Sequence, residues 1–181
     1  YWRDWSSDVC SSDLVVHHVV ALPGNQGYLI TGDLETNTNN RNFLLQTDTN
    51  GRRVWGKFYR DFIEFYSWGN IILPSPSGVF LVGMTFNDTI SNQEITVSFL
   101  DTAGNLRWSR RMGNVFEDDE AFSALPMNNH GLLLCGYSRG YINSGSEFSL
   151  ICTDSLGFPQ WCAVYGSLLD EEGLKLVPDQ H

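Results

Sequence analysis

A threefold internal repeat of about 53 residues constrains this chain more than any other feature of its sequence. Each copy holds a glycine, four mostly apolar residues and a second glycine, at Gly27–Gly32, Gly78–Gly83 and Gly131–Gly136. Each copy also holds an Asp-x-x-Gly segment with a tryptophan four residues after the glycine. In the order of the three copies, these residues are Asp48, Gly51 and Trp55; Asp101, Gly104 and Trp108; and Asp154, Gly157 and Trp161. Self-similarity at a fixed period of this length indicates stacked supersecondary units.

Four short antiparallel strands are predicted within each copy. In the third copy, runs at 121–126, 132–135, 148–153 and 160–165 are separated by two turns and a polar loop. Repeated four-stranded units of this size, arranged around an axis, form a β-propeller. A β-sandwich is the alternative, but a sandwich does not need self-similarity at a fixed period.

The predicted fold class is therefore all-β, a partial β-propeller of about three four-stranded antiparallel blades. The blades are placed at about 15–60, 66–112 and 118–166, and the start of a fourth at 172–181. A proline column, formed by Pro23, Pro74, Pro126 and Pro178, keeps a similar step. Because propellers close with about 4–8 blades, the remaining blades are expected to lie outside this stretch of sequence.

The first fourteen residues are predicted not to belong to the fold. Residues 4–14 resemble the translation of a short-read sequencing adapter, and the segment lies outside the repeat register. Segments of this kind are left out of fold reasoning. Residues 1–14 are therefore expected to be a sequencing artefact or a disordered tail, and a signal peptide is not observable at this N-terminus.

The charge balance and the length of the apolar runs exclude two classes of partner. The chain has 21 acidic against 11 basic residues and a formal net charge of -10. Nucleic-acid binding needs clustered basic residues to neutralise phosphates, so no nucleic acid is expected as a partner. No apolar run approaches the roughly 18 residues of a membrane-spanning helix, so no membrane insertion is expected either.

Three cysteines, Cys135, Cys152 and Cys162, all lie in the third copy. Their spacing does not match paired C-x-x-C zinc ligands. The other copies hold small or apolar residues at most of these positions, which favours buried thiols acting as small hydrophobic residues. A disulfide between neighbouring strands is the alternative, and an odd count leaves one thiol over.

The repeated Asp-x-x-Gly-x-x-x-Trp segments have a local structural interpretation. An aspartate at the first position of a type I turn accepts backbone N–H bonds, and a glycine at the fourth takes the left-handed conformation of a bulged hairpin. The tryptophans then lie on the fourth strand of each unit, where they are predicted to pack one unit against its neighbour. A stripe of three tryptophans that stacks on carbohydrate is the alternative.

The same turns, followed by an acidic loop and the double-glycine segment, resemble those of secreted and cell-surface bacterial β-propellers with quinoprotein-like repeats. The resemblance covers residues 15–178 and implies an extracellular or cell-surface binding or scaffold module. The docking turn of quinoprotein dehydrogenases has three residues between Asp and Gly and an alanine two residues before the Asp. Here two residues separate Asp from Gly, and the earlier position holds Gln46, Phe99 or Cys152, so no quinone cofactor is expected.

Polar loops and acidic linkers are predicted to emerge at one end of the blades. The loops are 35–40, 87–92 and 138–143, and the linkers contain Asp61 and Glu64; Glu117, Asp118, Asp119 and Glu120; and Asp170, Glu171 and Glu172. A solvated rim is the first interpretation of these acids. A calcium site is the second, because carboxylate oxygens suit a hard cation. Paired carboxylates for glycoside hydrolysis are the third.

Two functions remain open. The first is a non-catalytic extracellular binding or scaffold module that recognises a protein or glycan ligand through the acidic loops. The second is a hydrolase or lyase whose carboxylates converge at the channel mouth. No pair of histidines has a metal-ligand spacing with a nearby carboxylate. No catalytic residue is therefore assigned.

Overall fold

The computed structural model of the protein describes residues 13–35, 41–59, 67–87, 92–113, 116–128, 130–140, 145–167 and 169–178. Twelve strands in this part of the chain form three four-stranded sheets. The first sheet contains β1 Asp13–Ala21, β2 Tyr28–Glu35, β3 Arg41–Thr47 and β4 Arg53–Tyr59; the second β5 Ser67–Ser75, β6 Gly78–Asn87, β7 Asn92–Asp101 and β8 Leu106–Met112; the third β9 Asp119–Pro126, β10 Leu132–Arg139, β11 Ser146–Thr153 and β12 Pro159–Tyr165. One 3-10 turn, Pro23–Asn25, joins β1 to β2.

Each sheet is an antiparallel meander in which sequential strands are hydrogen-bonded neighbours. The three sheets do not close into a ring, an arrangement consistent with a partial propeller. The predicted all-β class with three four-stranded antiparallel units is therefore confirmed. Strand β1 begins at Asp13, two residues inside the segment that sequence reasoning left out of the fold, and Asp13 pairs with Glu35.

The first glycine of each double-glycine segment marks a close approach between backbones. A Cβ atom at Gly27, Gly78 or Gly131 would overlap the carbonyl oxygen of Thr47, Leu100 or Thr153, respectively. Each of these oxygens belongs to the residue just before the turn aspartate. Only a residue without a side chain fits there, so the glycine brings the second strand against the start of the Asp-x-x-Gly turn.

The second glycine lies opposite a β-bulge in the first strand of its sheet. The register shifts between Val16 and His18 in β1, and Phe122 is the extra residue in β9. A Cβ at Gly32 would overlap the carbonyl oxygen of Val15, and one at Gly136 that of Glu120. Bulges increase local twist, and here the missing side chain leaves room for the displaced carbonyl.

The Asp-x-x-Gly turns share one geometry in all three sheets. The Asp48 Oδ1 atom accepts the backbone N–H groups of Asn50 and Arg52, both at 2.8 Å, and the glycine N–H returns to the aspartate carbonyl at 3.1 Å. Asp101 and Asp154 accept the equivalent two bonds. The turn glycines have φ values of 78°, 70° and 78°, in the left-handed region that favours glycine.

Each turn glycine after the first is covered by the tryptophan of the preceding sheet. A Cβ at Gly104 would lie 2.9 Å from the Trp55 ring, and one at Gly157 would lie 2.7 Å from Cη2 of Trp108. Gly51 has nothing within 4 Å of that position, and Trp161 is 48% exposed. The tryptophans of the first two sheets therefore pack each sheet against the next.

Two apolar layers fill the spaces between the sheets. One lies between the first and second sheets and contains Leu29, Leu44, Ile72, Val79, Leu81 and Leu100. The other lies between the second and third sheets and includes Phe80, Val82, Ile95, Val97, Leu132 and Leu134. Alternate residues of β6 enter different layers, which explains why that strand is a continuous apolar run.

Residues 169–178 lie against the third sheet much as β5 lies against the first. The Leu176 N–H donates to Ser123 Oγ at 3.0 Å, and the Ile72 N–H donates to His18 Nδ1 at 3.0 Å. Ser123 and His18 occupy the same register position in their sheets, opposite Cys135 and Thr31. The segment at the predicted start of a fourth unit therefore repeats a contact between earlier units.

The proline column does not hold in the first sheet. Pro126 is the last residue of β9 and pairs with Leu132, and Pro74 is the last but one of β5 and pairs with Val79. At the equivalent register position the first sheet has Ala21, which pairs with Tyr28. Pro23 lies two residues later in the 3-10 turn, because the connection between β1 and β2 is longer than the one between β5 and β6.

Replacing the second glycine of the third sheet with alanine is expected to destabilise the protein by about 3 kcal/mol, because the new Cβ overlaps a backbone carbonyl that cannot move freely. Urea unfolding of Gly136→Ala measures the loss. The control is Gly56→Ala, where the new Cβ would be 3.2 Å from the flexible end of Leu45; its loss should stay under about 1 kcal/mol. Equal losses would contradict the close-approach account.

Truncation of the repeated tryptophans should have unequal effects. Trp108→Ala removes a ring that packs on Gly157, Phe80 and Phe99, and we expect a loss of about 3–5 kcal/mol in the free energy of unfolding. Trp161→Ala, at the same repeat position but half exposed, should lose less than half as much. Chemical denaturation of both variants provides the comparison, and matching losses would rule out the inter-sheet role.

Candidate functional site

The two ends of the sheets differ in the connections they carry. The Asp-x-x-Gly turns and the β1–β2 type connections lie at one end, called here the turn end. The β2–β3 type loops and the linkers between sheets lie at the other, called here the loop end. The described residues of the loop end include the acidic segments 116–120 and 169–172, whereas Asp61, Glu64 and most of the three predicted polar loops lie outside the described residues.

Asp118 joins the second sheet to the third. Its Oδ1 atom accepts the backbone N–H of Gln93 at 2.9 Å, at the start of β7. Its Oδ2 atom accepts Arg139 Nη1 at 3.2 Å, at the end of β10, and its carbonyl accepts the Arg139 N–H at 3.1 Å. Both carboxylate oxygens are therefore engaged in holding the linker between the two sheets.

Asp170 makes the equivalent bond one unit later. Its Oδ1 atom accepts the backbone N–H of Ser146 at 2.8 Å. Ser146 follows Gln93 by 53 residues, and Asp170 follows Asp118 by 52. Two of the acids found at matching positions in the sequence therefore have a shared structural role, which is to bond the first backbone N–H groups of a third strand.

Three further acids of the predicted cluster have local partners or face solvent. Asp119 is 1% exposed and accepts the hydroxyl of Ser138. Glu171 accepts both the N–H and the hydroxyl of Ser167, within its own linker. Glu117 is exposed, and its carbonyl accepts Asn92 Nδ2 at 3.3 Å.

Glu120 and Glu172 form an electrostatically coupled pair. Glu120 is half-buried in β9, and burial raises the pKa of its carboxyl, with the Glu172 carboxylate adding to the rise. Tyr137 lies beside them on β10 and donates its hydroxyl to Gln93 Oε1 at 3.4 Å. Burial, followed by the charge of Glu120, raises the pKa of Tyr137 to about 12. The raised pKa favours the protonated form of the Glu120 carboxyl group.

The described residues contain no group of three or more His, Cys, Asp or Glu side chains placed to hold a metal ion. Of the seven carboxylates proposed from the sequence, Asp118, Asp119, Asp170 and Glu171 bond to other groups of the chain. The other three, Glu117, Glu120 and Glu172, are not part of any metal-holding group among the described residues. Calcium binding stays a prediction, and its test is metal titration.

Two charged contacts between adjacent strands were not found by sequence reasoning. His17 lies at the β1 bulge, and its Nε2 atom contacts the carboxylate of the buried Asp33, so one histidine does have a carboxylate neighbour. Arg111 pairs with Glu94 at 2.9 Å. Both pairs join adjacent strands and depend on the register, which residue spacing alone does not give.

The cysteines follow the sequence prediction in two of three cases. Cys135 and Cys152 are buried free thiols. The Cys135 thiol donates to the carbonyl of Gly173 at 3.2 Å, and burial raises its pKa. Cys162 is free but exposed, so the expectation of a buried thiol there is wrong, because β12 is the outer strand of the third sheet.

Comparison with known proteins adds no assignment. No protein-family model matches the chain, and no curated protein matches it at a significant level. Among the residues that the structure describes, no helix has the length and apolar character needed to cross a bilayer. The functional reading of the loop end therefore rests on its own geometry.

The Glu120 pair should leave a pH signature in stability. The folded state binds a proton at Glu120 more tightly than the unfolded state, so stability falls as pH rises from the ordinary value of 4.5 through the raised pKa. Glu120→Gln removes this ionisation and should raise the free energy of unfolding at pH 7, with the gain absent below about pH 4. Denaturant unfolding across this pH range tests it, with Glu117→Gln as an exposed control that should change little.

Proposed function

We propose that this chain is a non-catalytic binding or scaffold module, acting outside the cell or at its surface, whose ligand face is the loop end. The observation that carries the proposal is the use of the linker carboxylates. Asp118 and Asp170 make equivalent bonds to backbone N–H groups of successive sheets. Carboxylates held in this way serve the scaffold, and loops on a rigid scaffold are suited to recognition.

The charge of this face favours particular ligands. The chain carries a net charge of -10, and Glu117 and Glu172 are exposed at the loop end. An acidic surface attracts basic partners and repels polyanions. A protein with a basic patch, or a glycan with amino groups, fits this surface. The extracellular or cell-surface location comes from the resemblance to secreted propeller repeats.

The alternative is a hydrolase or lyase, and the Glu120–Glu172 pair favours it. Glycoside hydrolysis uses one carboxyl group that stays protonated and a second that is ionised. Burial and the neighbouring carboxylate both favour the protonated form of Glu120. In this alternative Glu120 is the general acid and Glu172 is the second carboxylate.

A binding screen with charge variants tests the proposal. The full chain is applied to arrays of immobilised neutral, acidic and amino sugars and to cell-surface proteins with basic patches. The double variant Glu117→Gln/Glu172→Gln should bind the captured ligand severalfold more weakly and with a shallower salt dependence. Arg52→Gln, exposed at the turn end, is the control and should bind as the parent does.

Two results would overturn the proposal. One is the absence of any ligand, or binding that the double variant leaves unchanged. The other is enzymatic activity: release of p-nitrophenol from aryl glycosides by the parent chain, lost in Glu120→Gln, would establish the hydrolase alternative instead.

A further inference from the structure

A cleft of about 470 Å³ lies between the first and second sheets at the turn end. Its walls include Leu29, Gln46 and Trp55 from the first sheet and Pro74 and Thr102 from the second. The volume falls within the range of about 300–1,000 Å³ that is usual for small-ligand sites. The cleft lies at the opposite end of the sheets from the acidic loops, so it is independent of the function proposed above.

The second sheet provides an internal reference for this cleft. Phe80, Phe99 and Trp108 form a row across β6, β7 and β8, paired in register. Their ring centroids are 4.9 Å apart for the two phenylalanines and 6.0 Å from each phenylalanine to the tryptophan. Two phenylalanine rings thus fill the space beside the tryptophan that packs against the third sheet.

At the equivalent positions the third sheet has Leu133, Cys152 and Trp161, so the aromatic row belongs to the second sheet alone. The first sheet differs in another way. The same row there is Leu29, Gln46 and Trp55, again paired in register. A leucine and an amide replace two phenylalanine rings, although the tryptophan and its contact with the next turn glycine are retained. The cleft therefore lies where the first sheet has a leucine and a hydrogen-bonding side chain instead of the two phenylalanine rings of the second sheet.

The polar groups of the cleft are uncharged or already engaged. In the described part of the chain, the side chains of Gln26 and Gln46 have no hydrogen-bond partner. The Asp101 carboxylate, by contrast, accepts two backbone N–H groups and the side chains of Asn105 and Arg107. No basic side chain lines the cleft. The site therefore offers two amides, hydroxyl groups and apolar walls. It has no basic group and no unengaged carboxylate to pair with an ionic ligand.

We propose that this cleft binds a neutral sugar ring, with Trp55 as an apolar wall and Gln46 as a hydrogen-bonding group inside the cleft. A pyranose has apolar C–H faces bordered by hydroxyl groups, which matches leucine, proline and indole walls beside amides that both donate and accept. The cleft has no free carboxylate to bind a cationic ligand, because Asp101 is engaged. It has no basic side chain to bind an anionic ligand.

Titration of the full chain with neutral mono- and disaccharides tests the proposal. Glucose, galactose, mannose, maltose and cellobiose are added while tryptophan fluorescence and ligand-observed NMR are recorded. At least one should bind with saturation. Gln46→Phe introduces the residue that the second sheet has at this position and should weaken that binding at least about tenfold, since it removes the amide and fills the space. A thermal melt of the variant should be no lower than that of the parent.

Gln160→Phe is the matched control, because Gln160 is an exposed glutamine on β12 of the third sheet, and it should bind as the parent does. The proposal is overturned if none of the neutral sugars binds with saturation, or if Gln46→Phe folds and binds unchanged. It is equally overturned if proline-rich peptides or charged sugars bind in the cleft in preference to the neutral ones.

Discussion

The contact between a tryptophan and the turn glycine of the next sheet is the interaction on which the arrangement of the sheets depends. The Trp55 and Trp108 rings lie over Gly104 and Gly157, and only a residue without a Cβ leaves room for an indole at that distance. The aspartate of each turn fixes the glycine by accepting two N–H bonds. The hydrogen bonds of the turn and the packing between sheets are therefore coupled. Together they fix the position of each sheet against the next, and the apolar layers form between the sheets so placed.

Much of this fold could be predicted from the sequence, because the repeat shows each structural requirement three times. The period, the turn residues and the apolar runs gave the strands to within a few residues. The failures have a common cause, which is that strand register is not visible in residue spacing. The bulge that brings His17 to Asp33, the displacement of Pro23 and the exposure of Cys162 all depend on register or on position at a sheet edge.

The candidate site shows the same limit in another form. Matching acidic clusters were visible in the sequence, but their roles were not. The same residue type serves both as a carboxylate bonded to a backbone N–H and as one that faces solvent, so the sequence does not distinguish them. Asp118 and Asp170 belong to the first kind, and Glu117 to the second. Glu120 differs from both because it is half-buried beside Glu172. Only the three-dimensional arrangement separates these roles.

The double-glycine segments also bear on how such units diverge. Both glycines are approached by backbone carbonyl oxygens, which every residue possesses, so the requirement stays the same whatever the neighbouring side chains are. The four residues between them differ from copy to copy, as Tyr-Leu-Ile-Thr, Val-Phe-Leu-Val and Leu-Leu-Leu-Cys. Substitutions can therefore change the side chains inside each unit while the two glycines preserve its backbone. The space between one pair of sheets can then change without altering the spaces between the others.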